Sequence, residues 1–238
     1  VRPIDDGGPL RLDGPAYGPW VDPGRRARFA VAGLAAVVFS LVVDLLWTVV
    51  GIATVGGLVA APSDAWFDHY DTITMVTAWL YIAGLVVAAL TFIRWQRAAI
   101  RNLAFLGCER PDTGPGFATA GWFIPIASLV VPLLSLREIA RWSRPTGAGS
   151  AGALLGWWWG GWLVSGLTVS AASAAFSFGD EVPIWLAAAT ADAVGSLGLV
   201  ATAVLAVKIV RTLTGWQRRS REARVAGGGM ISETPSQN

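Results

Sequence analysis

Residues 117–136 read FATAGWFIPIASLVVPLLSL and contain no charged side chain. A span needs about 20 apolar residues to cross roughly 30 Å of hydrocarbon, so length alone admits this stretch to a bilayer. Pro125 and Pro132 argue against a straight crossing, because each removes a backbone donor and bends a helix. A broken segment survives at membrane depth only where protein buries it or where it lines a wet cavity. Whether this one crosses, or enters and returns, sets the side on which every later residue lies.

Four other apolar stretches surround it. Residues 29–61 are interrupted only by Asp44, and 72–93 carry no charge. Residues 148–179 are again uncharged, with the best helix over 154–176, and 183–207 contain only Asp192. As one helix the first stretch would be about 50 Å long, so only 29–53 is assigned to the membrane. Its end, GIATVGGLVAAP (51–62), is the weaker helix and forms the exit. Arg25, Arg26 and Arg28 ahead of it, and Val59-Ala60-Ala61 behind, resemble a signal peptide. Signal cores are about 7–15 residues long, and the run is read as an uncleaved span.

Composition agrees. Hydrophobic residues make up 54% of the chain and charged residues 14%, against about 45–50% and about 25% in soluble domains. One Cys and one His exclude a disulfide framework, a zinc cluster and a Cys-ligated iron–sulfur centre within the chain. There is no Walker A loop, no GxGxxG after a strand and no HExxH, so no cofactor is expected. A net charge of +2 is too slight to imply nucleic acid.

The distribution of charge says more than its sum. All 18 basic residues fall in four clusters, in 1–28, 94–116, 137–153 and from Lys208 onward, whereas 62–71 and 177–183 have none. Short loops rich in Lys and Arg stay on the cytoplasmic side. Five crossings would place the last two clusters outside. Four crossings, with 117–136 entering and returning, keep every basic residue inside. The expected fold is therefore an all-α polytopic membrane protein of the plasma membrane with both termini cytoplasmic. It has four transmembrane helices in two hairpins (29–53 with 72–93, 154–176 with 183–207) and a proline-broken re-entrant or fifth segment at 117–136. Residues 1–24 read as a disordered Pro/Gly-rich arm, 25–224 as the transmembrane domain and 225–238 as a disordered tail. Trp66, Trp95, Trp142, Trp157, Trp158, Trp159, Trp185 and Trp216 flank the spans as an interfacial belt would. TFIRWQRAAIRN (91–102) and TLTGWQRRSREA (212–223) form a weak repeat, each leaving a span beside basic residues.

Phe92, Trp95, Arg97, Asn102, Leu106-Gly107, GWFIPIASLVVPLLSLREI (121–139) and the tryptophans 157–159 carry a resemblance. Together they resemble an actinobacterial membrane-protein family catalogued as domain of unknown function 4328, over roughly Phe29 to Arg219. The resemblance implies a multi-spanning protein with a Pro/Gly-rich cytoplasmic arm and brings no established activity.

The candidate chemistry is therefore read from the residues. Asp44 and Asp192 lie about nine residues inside their spans, about 14 Å deep, where a carboxylate costs about 2.5–3.5 kcal/mol. Tyr81 sits at similar depth. Ser40, Asp44, Thr48 and Gly51 share one helix face, and Ala188, Asp192 and Ser196 another. Asp44, Tyr81 and Asp192 form a candidate intramembrane polar site that either relays protons or cations or simply joins helices. Gly166, Ser170, Ser173 and Ser177 should face Ala187, Ala191 and Gly195 in close helix packing. His69 with Asp64, Asp68 and Asp71 reads as a solvated loop, and Cys108 as an inner-loop thiol. Arg94, Arg97 and Arg101, with Arg137 and Arg141, read as an interfacial basic face for anionic lipid headgroups, a protein partner or a second copy of the chain. The leading functional expectation is a non-enzymatic envelope protein acting as scaffold, sensor or regulator through that face. The alternative is a small proton- or cation-linked transporter or channel using Asp44, Asp192 and the broken segment.

Overall fold

The computed structural model describes residues 20–59, 61–108, 110–177 and 181–231, with side chains described as far as Ala226. The expected arm over 1–19 and tail over 232–238 lie outside the described residues. Among the described residues the chain is helical, without strands: α1 (Pro23–Val55), α2 (Asp64–Arg101), a 3-10 turn (Ala104–Leu106), α3 (Pro115–Ala120), α4 (Pro125–Ser128), α5 (Val131–Ser143), α6 (Gly152–Ala175) and α7 (Val182–Ile231). The chain divides into two compact units. One is built from 1–27, 93–152 and 210–238, the other from 28–92 and 153–209.

The second unit holds the long apolar parts of α1, α2, α6 and α7. Local chemistry sets their ends. Leu58 N–H donates to the Ala53 carbonyl while Gly57 takes φ +77°, the left-handed stop that closes α1. Ser63 Oγ accepts from Trp66 N–H at 3.3 Å as an N-cap, with Asp64 in the first turn favoured by the helix dipole. Asp64, Asp68, His69 and Asp71, expected in a loop, therefore occupy the opening turns of α2. Close backbone approach binds the helices. A Cβ on Gly84 would stand 2.9 Å from Ser40 Oγ, and one on Gly33 would stand 3.0 Å from the Ala88 backbone. Large apolar side chains such as Phe39, Trp79 and Leu167 stay at least 65% exposed, an arrangement compatible with a membrane protein.

Three described helices, α1, α2 and α7, are long and apolar enough to cross a membrane. The fourth expected crossing is α6. It has 24 residues and no charged side chain but is not among those three.

The first unit is where the sequence reading changes most. Residues 117–136 are not one helix: α3, α4 and α5 replace it, with Pro125 opening α4 and Pro132 in the first turn of α5. Proline is preorganised for a helical first turn, where no intrahelical donor is lost, so the two prolines start helices as well as end them. Residues 94–101 continue α2 rather than forming a separate interfacial helix. Their apolar side is covered by protein, with Trp95, Ile100, Leu103, Leu136, Ile139 and Val210 fully buried. Trp95 and Trp216 are therefore core residues and not part of a belt, whereas Trp157 is 76% exposed. The start of α1 is held too. Val21 N–H donates to Asn102 Oδ1 at 3.0 Å, Asn102 Nδ2 returns a bond to Val21 O at 2.8 Å, and Trp20 packs edge-on against Phe105. Residues 20–24 of the expected arm are thus anchored, with Trp20 supplying the apolar contact. At the other end α7 runs beyond both expected boundaries, 207 and 225, to Ile231.

Candidate functional site

The second unit contains a cavity of about 500 Å³ bounded by α1, α2, α6 and α7. Asp44, Tyr81 and Asp192, each singled out for depth, all line it. The helical spacing explains how. Asp44 and Thr48 reach it from one face of α1, and Ala189, Asp192, Ser196 and Leu199 from one face of α7, at intervals of three and four residues. Trp185 and Leu199, at its two extremes on α7, are about 21 Å apart along that helix axis.

Asp44 is partly satisfied. Thr77 Oγ1, buried on α2, donates to Asp44 Oδ1 at 2.8 Å, with the Thr74 carbonyl of its own helix a competing acceptor at 3.0 Å. Among the described residues no donor is hydrogen-bonded to Asp192. Lining by Asp71 adds a third carboxylate, and among the described residues no Lys or Arg contributes to the wall. Ser40 shares the Asp44 face but turns back on its own helix, donating to the Ala36 carbonyl at 2.8 Å.

Tyr70 and its aromatic neighbours have no counterpart in the sequence reading. The Tyr70 ring stacks on Trp47 at 5.3 Å and on Trp66 at 5.0 Å, and Trp185 meets it edge-on at 5.9 Å. Trp47 Nε1 also donates to Thr74 Oγ1 at 3.2 Å, fixing the indole against α2. Trp66 and Trp185 were read as a belt at the ends of two spans. Their convergence depends on how two hairpins pair, which no local pattern states.

Helix packing in this unit departs from the expected stripe. Gly166 has no neighbour for a Cβ to meet, whereas a Cβ on Gly198 would collide with Ser165 Oγ and one on Gly195 would stand 2.7 Å from Val169 Cγ2. The seam therefore uses Gly161, Ser165 and Val169 on α6, one step around the helix from Gly166, Ser170 and Ser173. Ser173 is left to line the cavity.

The first unit holds a buried amide network built on the Trp-Gln repeat. Gln96 accepts from Trp122 Nε1 at 2.8 Å and donates to Ser135 Oγ, and Gln217 donates to the Ala99 carbonyl at 2.8 Å. Trp95 Nε1 donates to Thr214 Oγ1 at 2.9 Å. Glu138 is buried as a cap, accepting from Asp112 N–H, Thr113 N–H and the Thr113 hydroxyl. These contacts fix architecture rather than expose reactive groups. Cys108 is buried here, and burial, then the charge of Glu138, pushes its thiol above the usual range.

Of the basic candidates, Arg94, Arg97, Arg137 and Arg141 are exposed, and Arg101 is half-buried. Arg141 lies 3.6 Å from Asp112. His69 is exposed, its Nδ1 against the Ala65 carbonyl of its own helix. Among the described residues no three His, Cys, Asp or Glu side chains gather closely enough to hold a metal ion.

An all-helical architecture with three membrane-length helices and an acidic cavity in its apolar unit defines the class. The chain belongs to the family described as Domain of unknown function (DUF4328), which matches residues 59–215. No curated protein and no solved structure matches the chain.

Proposed function

We propose that the chain is a small, non-enzymatic, cation-linked transporter of the cell membrane, working through the cavity of its second unit. The observation that carries this reading is the convergence of Asp44, Asp71 and Asp192 with Tyr81 on one cavity that no Lys or Arg among the described residues lines. A carboxylate in an apolar bundle is costly and is retained where it serves an ion, proton or substrate path. Residues 117–136 contribute nothing to the lining, so this reading drops the broken segment from the path. In the proposed topology α1, α2, α6 and α7 cross, 117–136 enters and returns, and both termini are cytoplasmic. Proteoliposomes test the proposal. Wild type should pass protons or a monovalent cation, and Asp44→Asn and Asp192→Asn should each abolish flux while the protein stays folded by size exclusion. Wild-type flux no greater than that of empty liposomes would remove the transporter.

A second reading is favoured by a different observation, the exposure of Arg94, Arg97, Arg137 and Arg141. A basic face of this kind suits anionic lipid headgroups, at about 1 kcal/mol per residue near the surface, or a protein partner or second copy of the chain. As a scaffold or regulator the chain would show little flux and would lose its partner when Arg94 and Arg97 are neutralised together.

A further inference from the structure

The cavity differs from an inorganic-ion site in three ways. Its volume, about 500 Å³, falls within the roughly 300–1,000 Å³ of small-molecule pockets. A stripped Ca²⁺ needs about six or more oxygen ligands at close range, and among the described residues no three His, Cys, Asp or Glu side chains gather closely enough to hold a metal ion. Its wall is mixed, with Leu41, Ala78, Val169 and Leu199 apolar and Tyr70, Phe176 and Trp185 aromatic. An ion with a bare hydration shell would gain nothing from that wall. A cation carrying an organic body would bury the body against it.

The aromatic cluster is also built rather than incidental. Tyr70 is clasped between two indoles and fixed edge-on by Trp185, and Trp185 lies 6.2 Å from Phe176. Rigid π-faces beside a carboxylate attract alkylated ammonium groups, which are weakly hydrated and lose little on leaving water. Asp192, to which no described donor is hydrogen-bonded, lines the same space as those rings and is the natural counter-ion. Asp44, half-engaged by Thr77, is the second.

We infer that the cavity binds an organic cation, an ammonium or quaternary ammonium head on a compact apolar body. Asp192 and Asp44 hold its charge, and the Trp185–Phe176 wall receives its head and flank, with Tyr70, stacked against Trp47 and Trp66, bracing Trp185. This rests on the transporter reading for its biological sense but not for its test, which is binding. The full chain in nanodiscs is titrated with benzyltrimethylammonium, with its uncharged carbon isostere neopentylbenzene, and with Na⁺. Saturable binding of the quaternary cation and weak or absent binding of the isostere are expected. Asp192→Asn should weaken binding by about thirtyfold or more, and Trp185→Leu by about fivefold. Ser173→Trp, which fills the space from α6 without changing charge, should abolish binding with the fold intact, so the proposal does not depend on acid substitutions alone. No saturable binding to wild type, equal binding of the isostere, or binding that survives both Asp192→Asn and Ser173→Trp would overturn it. Organic-cation binding without flux would leave this inference standing and remove the transporter. Asp-dependent proton or Na⁺ flux without organic-cation binding would do the reverse.

Discussion

Glu138 shows how a single side chain can organise a loop. Its carboxylate accepts two backbone N–H groups and a hydroxyl from the 112–113 turn, all within the first unit. Glu138→Ala strands those donors, and an unpaired buried polar group costs about 1–3 kcal/mol. The expected result is a loss of about 2–3 kcal/mol in a detergent unfolding titration, with Glu138→Gln losing less because one acceptor oxygen survives. Cys108, nearby, offers a kinetic check. Its thiol is raised by burial, so the neutral form is favoured in the folded state. Stability from this group is complete below the unfolded thiol's range and is lost as pH rises through the folded value. Alkylation at mildly alkaline pH should therefore be much slower in the native protein than in denaturant, and a native rate equal to the denatured one would contradict the burial. Asp22 runs in the opposite sense. The Gly24 N–H first, and the Arg218 guanidinium at 3.1 Å, hold its carboxyl below the usual range. Its contribution is present above the unfolded carboxylate's range and is lost as pH falls. Because the pair is largely exposed, Asp22→Asn at neutral pH should cost less than about 1 kcal/mol.

Between elements, glycine placement decides what can pack. At Gly195 an added Cβ would press on Val169 Cγ2 and lie 3.1 Å from Val169 N and 3.2 Å from Ser165 O, so backbone, not only a movable side chain, is in the way. Gly195→Leu should therefore part α6 from α7 and destabilise the protein by about 1–3 kcal/mol, as overpacking does. Gly166→Ala, with open space around it, should be neutral or gain up to about 1 kcal/mol from helix propensity. Thermal unfolding of the two variants reads this contrast directly, and equal losses would refute the assigned seam. The stripe through Gly166 was a sound reading of one helix. A periodicity gives the small face only to within one position of rotation, and the partner helix selects the actual contact. Asp44, Tyr81 and Asp192, read from their expected depth, do line one cavity. A charge in an apolar run is marked by its own cost, and helical spacing then carries Thr48 and Ser196 along with it. Tyr70 was illegible for the opposite reason. It lies only two residues before the run 72–93 and was counted with the loop, and nothing local to residue 70 tells of Trp47 or Trp185.

For the whole molecule, sidedness turns on the broken segment. No helix within 117–136 can cross alone: α3 and α4 have 6 and 4 residues, and α5 has 13 with its second half charged. Thirteen residues rise about 20 Å, short of the roughly 30 Å core. Arg137, Arg141 and Arg144 would also have to be translocated if the segment crossed, against the usual retention of short basic loops. Both arguments support the proposed topology, in which the loop after α5 lies on the same side as the loop before α3. A single thiol in that loop decides the matter. Gly147 is a poor position for it, since its φ of +80° would strain any side chain, whereas Gly149 has no neighbour within reach of a Cβ. With Cys108→Ser removing the native thiol, Gly149→Cys should resist an impermeant maleimide in intact cells and react once the membrane is permeabilised. Ser63→Cys, at the start of α2, should label from outside in both conditions. Labelling of Gly149→Cys in intact cells, with Ser63→Cys behaving as expected, would mean that the segment crosses despite its breaks. The last two spans would then run in the opposite direction, so that α6 and α7 entered the bilayer antiparallel to their assumed sense. The Asp44–Asp192 cavity of a single correctly inserted bundle could not survive that reversal unchanged, so the accessibility of one engineered thiol bears on the proposed transport path as directly as on the topology.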